Sequence, residues 1–121
     1  DVLNMVQTFG YINASWTLRA DLTSEYVCRL INQMDKLGMR QVSAPLSEAD
    51  KGMQARKYIE DFTPGYMMRT AHLMPRQGDR ELWLNTQNYT QDKKMIRRAP
   101  LEDGVLKFEN PHSATPKTSA A

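Results

Sequence analysis

The chain has 121 residues, a mass of 13.9 kDa and a net charge of +2. At about 150 residues per domain it holds at most one compact unit, burying about two-thirds of its unfolded surface, which excludes a core plus a large cofactor cleft. With 40% hydrophobic residues and 6 glycines it sits at the low edge of the globular range, neither disordered overall nor membrane-spanning, and its charge is too small to indicate nucleic acid or a membrane surface.

In chain order, Met5–Ile12 is β-branched, aromatic and apolar and predicts a short buried strand with Gly10 near its end. Asn13 or Ser15 can cap the helix that follows. Val27, Leu30, Ile31 and Met34 repeat at helical spacing, Leu18, Leu22 and Leu37 extend the stripe, and Gly38 suits the residue just past the end. A second strand is expected over Met39–Val42. Ser47 can cap a short helix over Glu48–Arg56. Thr63 and Pro64 suit the start of another, running to Met74 before Pro75. Asp79 can cap a third helix reaching Arg98, which Pro100 stops. Asp103-Gly104 signals a turn and Val105–Phe108 a last strand. The tail from Pro111 is polar and is expected to be disordered.

A lone strand–helix unit cannot satisfy its own backbone, so it reads as the last unit of a larger open sheet. The fold expected is an α/β fragment divided at residues 1–42, 43–110 and 111–121. The chain opens on Asp1, which fits either a trimmed start or a piece of a longer protein. No basic-then-apolar leader and no apolar run of about 18 residues is visible, so neither a signal peptide nor a transmembrane segment is expected. The single cysteine, Cys28, fits a reducing, cytoplasmic setting.

Several chemistries lack their residues. No two glycines lie closer than 13 positions, so neither G-x-G-x-x-G nor a phosphate-cradling loop can form. His72, His112 and one cysteine give no zinc spacing, and no serine sits in a G-x-S-x-G elbow. No metal and no autonomous catalytic residue are expected. The strand-to-helix turn Gly10–Trp16 is the candidate ligand contact, because helix amides at the carboxyl end of a strand carry about +0.5 charge. In the alternative, Asn13 and Ser15 only cap and Trp16 only packs. Lys93, Lys94, Arg97 and Arg98 form either a solvated helix end or a contact for phosphate, nucleic acid or an acidic partner. Trp83, Asn85, Gln87, Asn88 and Tyr89 either pack and bond loops or line a channel. Met67, Met68 and Met74 fill core gaps, and His72 is expected to be a partly buried hydrogen-bonding residue.

Two strings carry a resemblance. One is Gly10-Tyr11-Ile12-Asn13-Ala14-Ser15-Trp16-Thr17-Leu18-Arg19-Ala20-Asp21-Leu22, continuing through Glu25-Tyr26-Val27-Cys28-Arg29-Leu30. The other runs Gly65-Tyr66, Arg69, Leu73-Met74-Pro75-Arg76-Gln77-Gly78, Trp83, Gln87-Asn88-Tyr89 and Asp92. Over roughly residues 1–108 the chain resembles the C-terminal part of bacterial flavin-containing monooxygenases of the Baeyer–Villiger type, especially the ethionamide-activating subgroup. The resemblance implies FAD and NADPH held on Rossmann-type domains, and a flavin C4a-peroxide that inserts oxygen into ketones or oxidises sulfur and nitrogen groups. It implies ketone, sulfide or thioamide substrates, and as partner the N-terminal part of the same chain. It also implies that Gly10, Tyr11, Asn13, Ala14, Ser15 and Trp16 lie near the flavin ring, on the last strand–helix junction of the FAD domain. The family's glycine fingerprints, its F-x-G-x-x-x-H-x-x-x-[WP] signature and its peroxyflavin-polarising arginine have no match here. The resemblance therefore gives the activity to the parent protein and leaves this segment inactive alone. The competing expectation is a standalone helical interaction module that binds through Lys93–Arg98.

Overall fold

In the computed structural model, residues 2–60 and 64–111 are described. The long helix α1 spans Trp16–Leu37 and buries Leu22 and Leu30. Its end follows the sequence rule. Gly38 takes the left-handed conformation at φ +65°, donates its N–H to the Asp35 carbonyl at 3.1 Å, and lets Met39 donate to Met34 at 2.9 Å. Together these two bonds satisfy carbonyls that a helix end otherwise leaves open. Strand β1, Gln41–Ser43, pairs antiparallel with β4, Lys107–Glu109, in the register Val42 opposite Phe108. Strand β2, Arg56–Lys57, pairs antiparallel with β3, Arg76–Gln77. Helix α2 covers Gly65–Thr70 and runs into a 3₁₀ turn at Ala71–Leu73, close to the expected helix. Helix α3 covers Tyr89–Arg98 and packs on α1. Arg29 of α1 fixes that packing, donating to the carbonyls of Ile96 at 2.7 Å and Ala99 at 2.6 Å, at the end of α3 where carbonyls lack helical partners.

Three expected elements differ. Met5–Ile12 forms no strand. Among the described residues this segment meets a strand only through Asn4, whose N–H donates to the Val42 carbonyl and whose Oδ1 accepts the Val42 N–H, at 3.0 and 2.9 Å. A ladder needs a neighbour along its whole length, and Met5 and Val6 remain 63% and 48% exposed. The helix over Glu48–Arg56 is replaced by successive turns. Ser47 does cap the first, accepting the Asp50 N–H, but Gly52 interrupts the run and Arg56 joins a strand. The helix from Asp79 to Arg98 begins only at Tyr89. Asn88, not Asp79, is its cap, accepting the Gln91 N–H at 3.1 Å, while Asp79 accepts from Gln54. Residues 79–88 instead form a 3₁₀ turn, Glu81–Trp83, and irregular chain. Their backbone is met by side chains: Gln77 accepts the Asn85 N–H at 2.8 Å, and Asn85 donates to the Tyr58 carbonyl at 2.9 Å.

His72 is exposed rather than partly buried, as are its 3₁₀ neighbours Ala71 and Leu73. Met67, Met68 and Met74 border a small hollow with Tyr58 and Ile59, although Met68 is itself exposed. Thr63 and the tail from residue 112 lie outside the described residues. Among the described residues the buried apolar core is small, consisting of Tyr11, Leu22, Leu30, Val42 and Ile59.

Gly38→Ala forces a β-carbon into the left-handed region and is expected to lower stability by about 1 kcal/mol in urea unfolding. Gly52→Ala, with open space around the added carbon and no positive φ, is the near-neutral control.

Candidate functional site

The Gly10–Trp16 turn has a buried back and an open front. At its back, Tyr11 is 3% exposed and donates its hydroxyl to Asp92 Oδ2 at 2.6 Å. Asp92 is fully buried on α3 and also takes an ion pair from Arg19 of α1 and the Thr86 hydroxyl at 2.5 Å. The Arg19 guanidinium lies 5.7 Å from the Tyr11 ring centroid, and Tyr89 meets that ring edge-on at 6.2 Å. Burial, and then the bond to Asp92, push the Tyr11 hydroxyl up to about 12. Gln87 holds the turn's backbone: its Oε1 accepts the Ile12 N–H at 2.9 Å and its Nε2 reaches the Gly10 carbonyl at 3.4 Å. Asn13 Nδ2 donates to the Gln87 main-chain carbonyl at 3.2 Å.

Gly10 is required by close approach. A β-carbon there would fall 2.1 Å from the Trp16 indole, which in turn stacks at a tilt on Phe9 with centroids 5.1 Å apart.

The front of the turn is different. Asn13, Ala14, Ser15 and Trp16 are exposed, with Trp16 at 49%. Ser15 occupies the cap position of α1, but its hydroxyl pairs with Thr17 at 2.9 Å rather than with a backbone amide. No side chain caps the first turn of α1 and no acid lies in it. The amides and partial positive charge of that helix start are therefore left to whatever stands before it.

Beside the turn is a cleft of about 360 Å³, bordered by Ile12, Asn13, Asn85, Thr86 and Gln91 and by the Arg56–Glu60 ion pair.

The six residues singled out in the sequence thus divide by environment. Gly10 and Tyr11 are committed inward, while Asn13, Ala14, Ser15 and Trp16 face out. Of the polar–aromatic stretch, Gln87 clamps the turn, Asn88 caps α3, Tyr89 packs on Tyr11, and Asn85 bonds loops. Trp83 lies against Gly78 and donates its N–H to Arg80. Arg19 and Asp92 stand in the two resembling strings, and Asp92 is one acid inside an otherwise basic helix, but nothing in the sequence marks Thr86 or brings the three together.

The basic residues of α3 do not share one free face. Arg97 forms a two-point pair with Glu25 of α1 at 2.7 and 2.6 Å, which holds the Glu25 carboxyl below its usual range and the Arg97 guanidinium above its own. Lys93 sits over the Tyr89 ring at 5.9 Å. Lys94 and Arg98 border a separate surface groove with Leu82 and Pro100. Among the described residues, no cluster of His, Cys, Asp and Glu could hold a metal ion, and no helix is long and apolar enough to cross a membrane.

FAD-containing monooxygenase EthA of Mycobacterium tuberculosis is 47% identical over 105 residues, which is 87% of this chain and 21% of that protein. The chain is homologous to the FAD-containing monooxygenases. EthA of Mycolicibacterium smegmatis is 41% identical over 119 residues, or 98% of this chain and 24% of the relative. The protein named Probable FAD-binding monooxygenase AlmA, from Acinetobacter baylyi, is 43% identical over 110 residues, or 90% and 22%. The chain therefore spans about a fifth of the length of the curated relatives it matches. No family model matches it, and no solved structure does.

Two outcomes follow from the buried cluster. Asp92→Ala strands Arg19 and Tyr11 without their acceptor and is expected to destabilise the chain by about 3 kcal/mol, read by thermal or urea unfolding. The Tyr11 hydroxyl ionises near 12 when folded and near 10 when unfolded, so the native state keeps the extra proton between them. Its contribution is complete below pH 10 and is lost as pH rises toward 12. Tyr11→Phe should flatten that part of the stability–pH curve.

Proposed function

We propose that this chain is the C-terminal part of an FAD- and NADPH-dependent monooxygenase of the Baeyer–Villiger type. Residues 1–42 belong to the last strand–helix unit of its Rossmann-type FAD domain, residues 43–110 to the loop-rich helical segment that follows, and residues 111–121 to a tail. The observation that carries this reading is identity of 41–47% to FAD-containing monooxygenases across nearly the whole chain.

The chemistry of the turn suits the cofactor. An uncapped helix start without a first-turn acid offers N–H donors and positive charge to an anionic ring edge, as a reduced flavin presents at N1–O2. FAD, when bound, supplies the oxygen-transfer chemistry and NADPH the electrons. The chain's own part is narrower. Gly10 and Tyr11 anchor the turn, Asn13, Ala14, Ser15 and Trp16 border the ring, and the open amides of α1 favour negative charge there. The substrates belong to the ketone, sulfide and thioamide class. The partner is the upstream part of the same chain, and the location is cytoplasmic.

The open apolar face supports an upstream partner. Val2, Met5, Val6, Tyr26, Val27 and Ile31 border a cleft of about 610 Å³ between the N-terminal segment and α1. Larger apolar openings of this kind mark interaction surfaces.

The test is to read the frame upstream of Asp1, express the full-length protein and compare it with the 121-residue chain. The full-length protein should purify with FAD and oxidise NADPH faster when an organic sulfide or ketone is added, while the short chain retains no flavin. A full-length protein that takes up no FAD would overturn the reading.

A further inference from the structure

Gln87 is the structure's clearest local conflict between conformation and residue type. It is buried and stands at φ +51°, in the left-handed region that a residue with a long side chain rarely enters. Such a conformation persists where the surroundings over-determine it. Here three consecutive residues are each committed in a different direction. Thr86 donates its hydroxyl to Asp92, Asn88 caps α3, and Gln87 between them faces the Gly10–Asn13 turn.

If the left-handed residue served only to bend the loop, glycine or asparagine would fit better. A glutamine is explained by its amide. Its Oε1 takes the Ile12 N–H at 2.9 Å, and its Nε2 points to the Gly10 carbonyl at 3.4 Å and Asn85 Oδ1 at 3.2 Å. Those two backbone groups flank Tyr11. A parallel neighbouring strand would bond the same two groups, so the side chain stands in for a missing peptide. The Gln87 carbonyl adds a further bond, from Asn13 Nδ2 at 3.2 Å. One residue therefore holds Gly10, Ile12 and Asn13, just ahead of the open start of α1.

We infer that Gln87 is a positioning residue for the flavin: it fixes the Gly10–Asn13 turn and thereby the aim of the α1 helix start toward the ring. This rests on the reading of the turn as the flavin-facing junction. Gln87 itself touches no cofactor in this account and acts through the turn.

The test uses the full-length FAD-loaded protein with Gln87→Asn and Gln87→Gly. Both replacements accept φ +51° readily and neither can span the two backbone groups. Expected results are a normal far-UV spectrum and a cooperative melt, FAD retention about tenfold weaker, and a shifted visible flavin absorption. Ser15→Asp, which sets a negative charge at the helix start, serves as the separate probe of the turn. If Ser15→Asp alters the flavin spectrum and both Gln87 variants leave spectrum and retention unchanged, the inference falls and the site reading stands. If none of the three alters the flavin, both fall. Loss of the melting transition in both Gln87 variants also overturns the inference, because the residue then holds the fold as a whole and not the turn.

Discussion

Asp92 is a carboxylate with no solvent contact in a chain of modest core, and the arrangement around it depends on its being satisfied. A buried charge without partners is far too unfavourable to persist, so Asp92 has to collect donors. It collects them from three separate parts of the chain: the Tyr11 hydroxyl from the N-terminal segment, the Arg19 guanidinium from α1, and the Thr86 hydroxyl from the loop before α3. Each donor fixes one degree of freedom. Arg19 sets α3 against the first turns of α1, Tyr11 draws the N-terminal segment inward, and Thr86 shapes the entry to α3. The strong electrostatics of a dry site make this cluster stiffer than exposed pairs such as Arg97–Glu25, which add only a little.

The same device recurs elsewhere in the fold. Gln87 serves the turn, Gln77 and Asn85 serve the loops around β2 and β3, Asn4 serves β1, and Arg29 serves the end of α3. In each case a side chain supplies hydrogen bonds that a longer sheet or helix would supply from backbone. This follows from how little regular sheet exists among the described residues: two pairs of strands, each two or three residues long. Backbone polar groups in the interior must still be paired, and polar side chains of the right reach do it.

That device also explains what the sequence could disclose. Helix α1 was legible to within a residue, because its apolar repeat and the Gly38 stop are local signals. Strands β1 and β4 fell within one or two positions of their expected places. Met5–Ile12 has the composition of a strand, yet strand formation depends on a neighbour that composition cannot report. Residues 79–88 were drawn into a helix because no Pro or Gly interrupts them, although the Asn85 N–H is taken by Gln77 and the side chains of Asn85 and Thr86 are spent on Tyr58 and Asp92. The candidate turn was visible as an apolar segment feeding a helix. Its inner wall was not, since Tyr11, Ile12 and Arg19 find their partners 73 to 81 positions away. A contact of that separation leaves no periodicity behind.

The two sides of the turn differ in how far their polar groups are satisfied. Among the described residues no buried side-chain nitrogen or oxygen is left unpaired, behind the turn or elsewhere. Ahead of it lie exposed side chains and an uncapped helix start without an acid. Rigidity on one face and openness on the other is what preorganisation requires, since fixed dipoles act most strongly when nothing must move to aim them. The backbone conformation at Gln87 fits the same logic. Strain accepted in the inner wall is matched by hydrogen bonds that hold the outer face in one geometry, which is the preorganisation that the proposed flavin contact calls for.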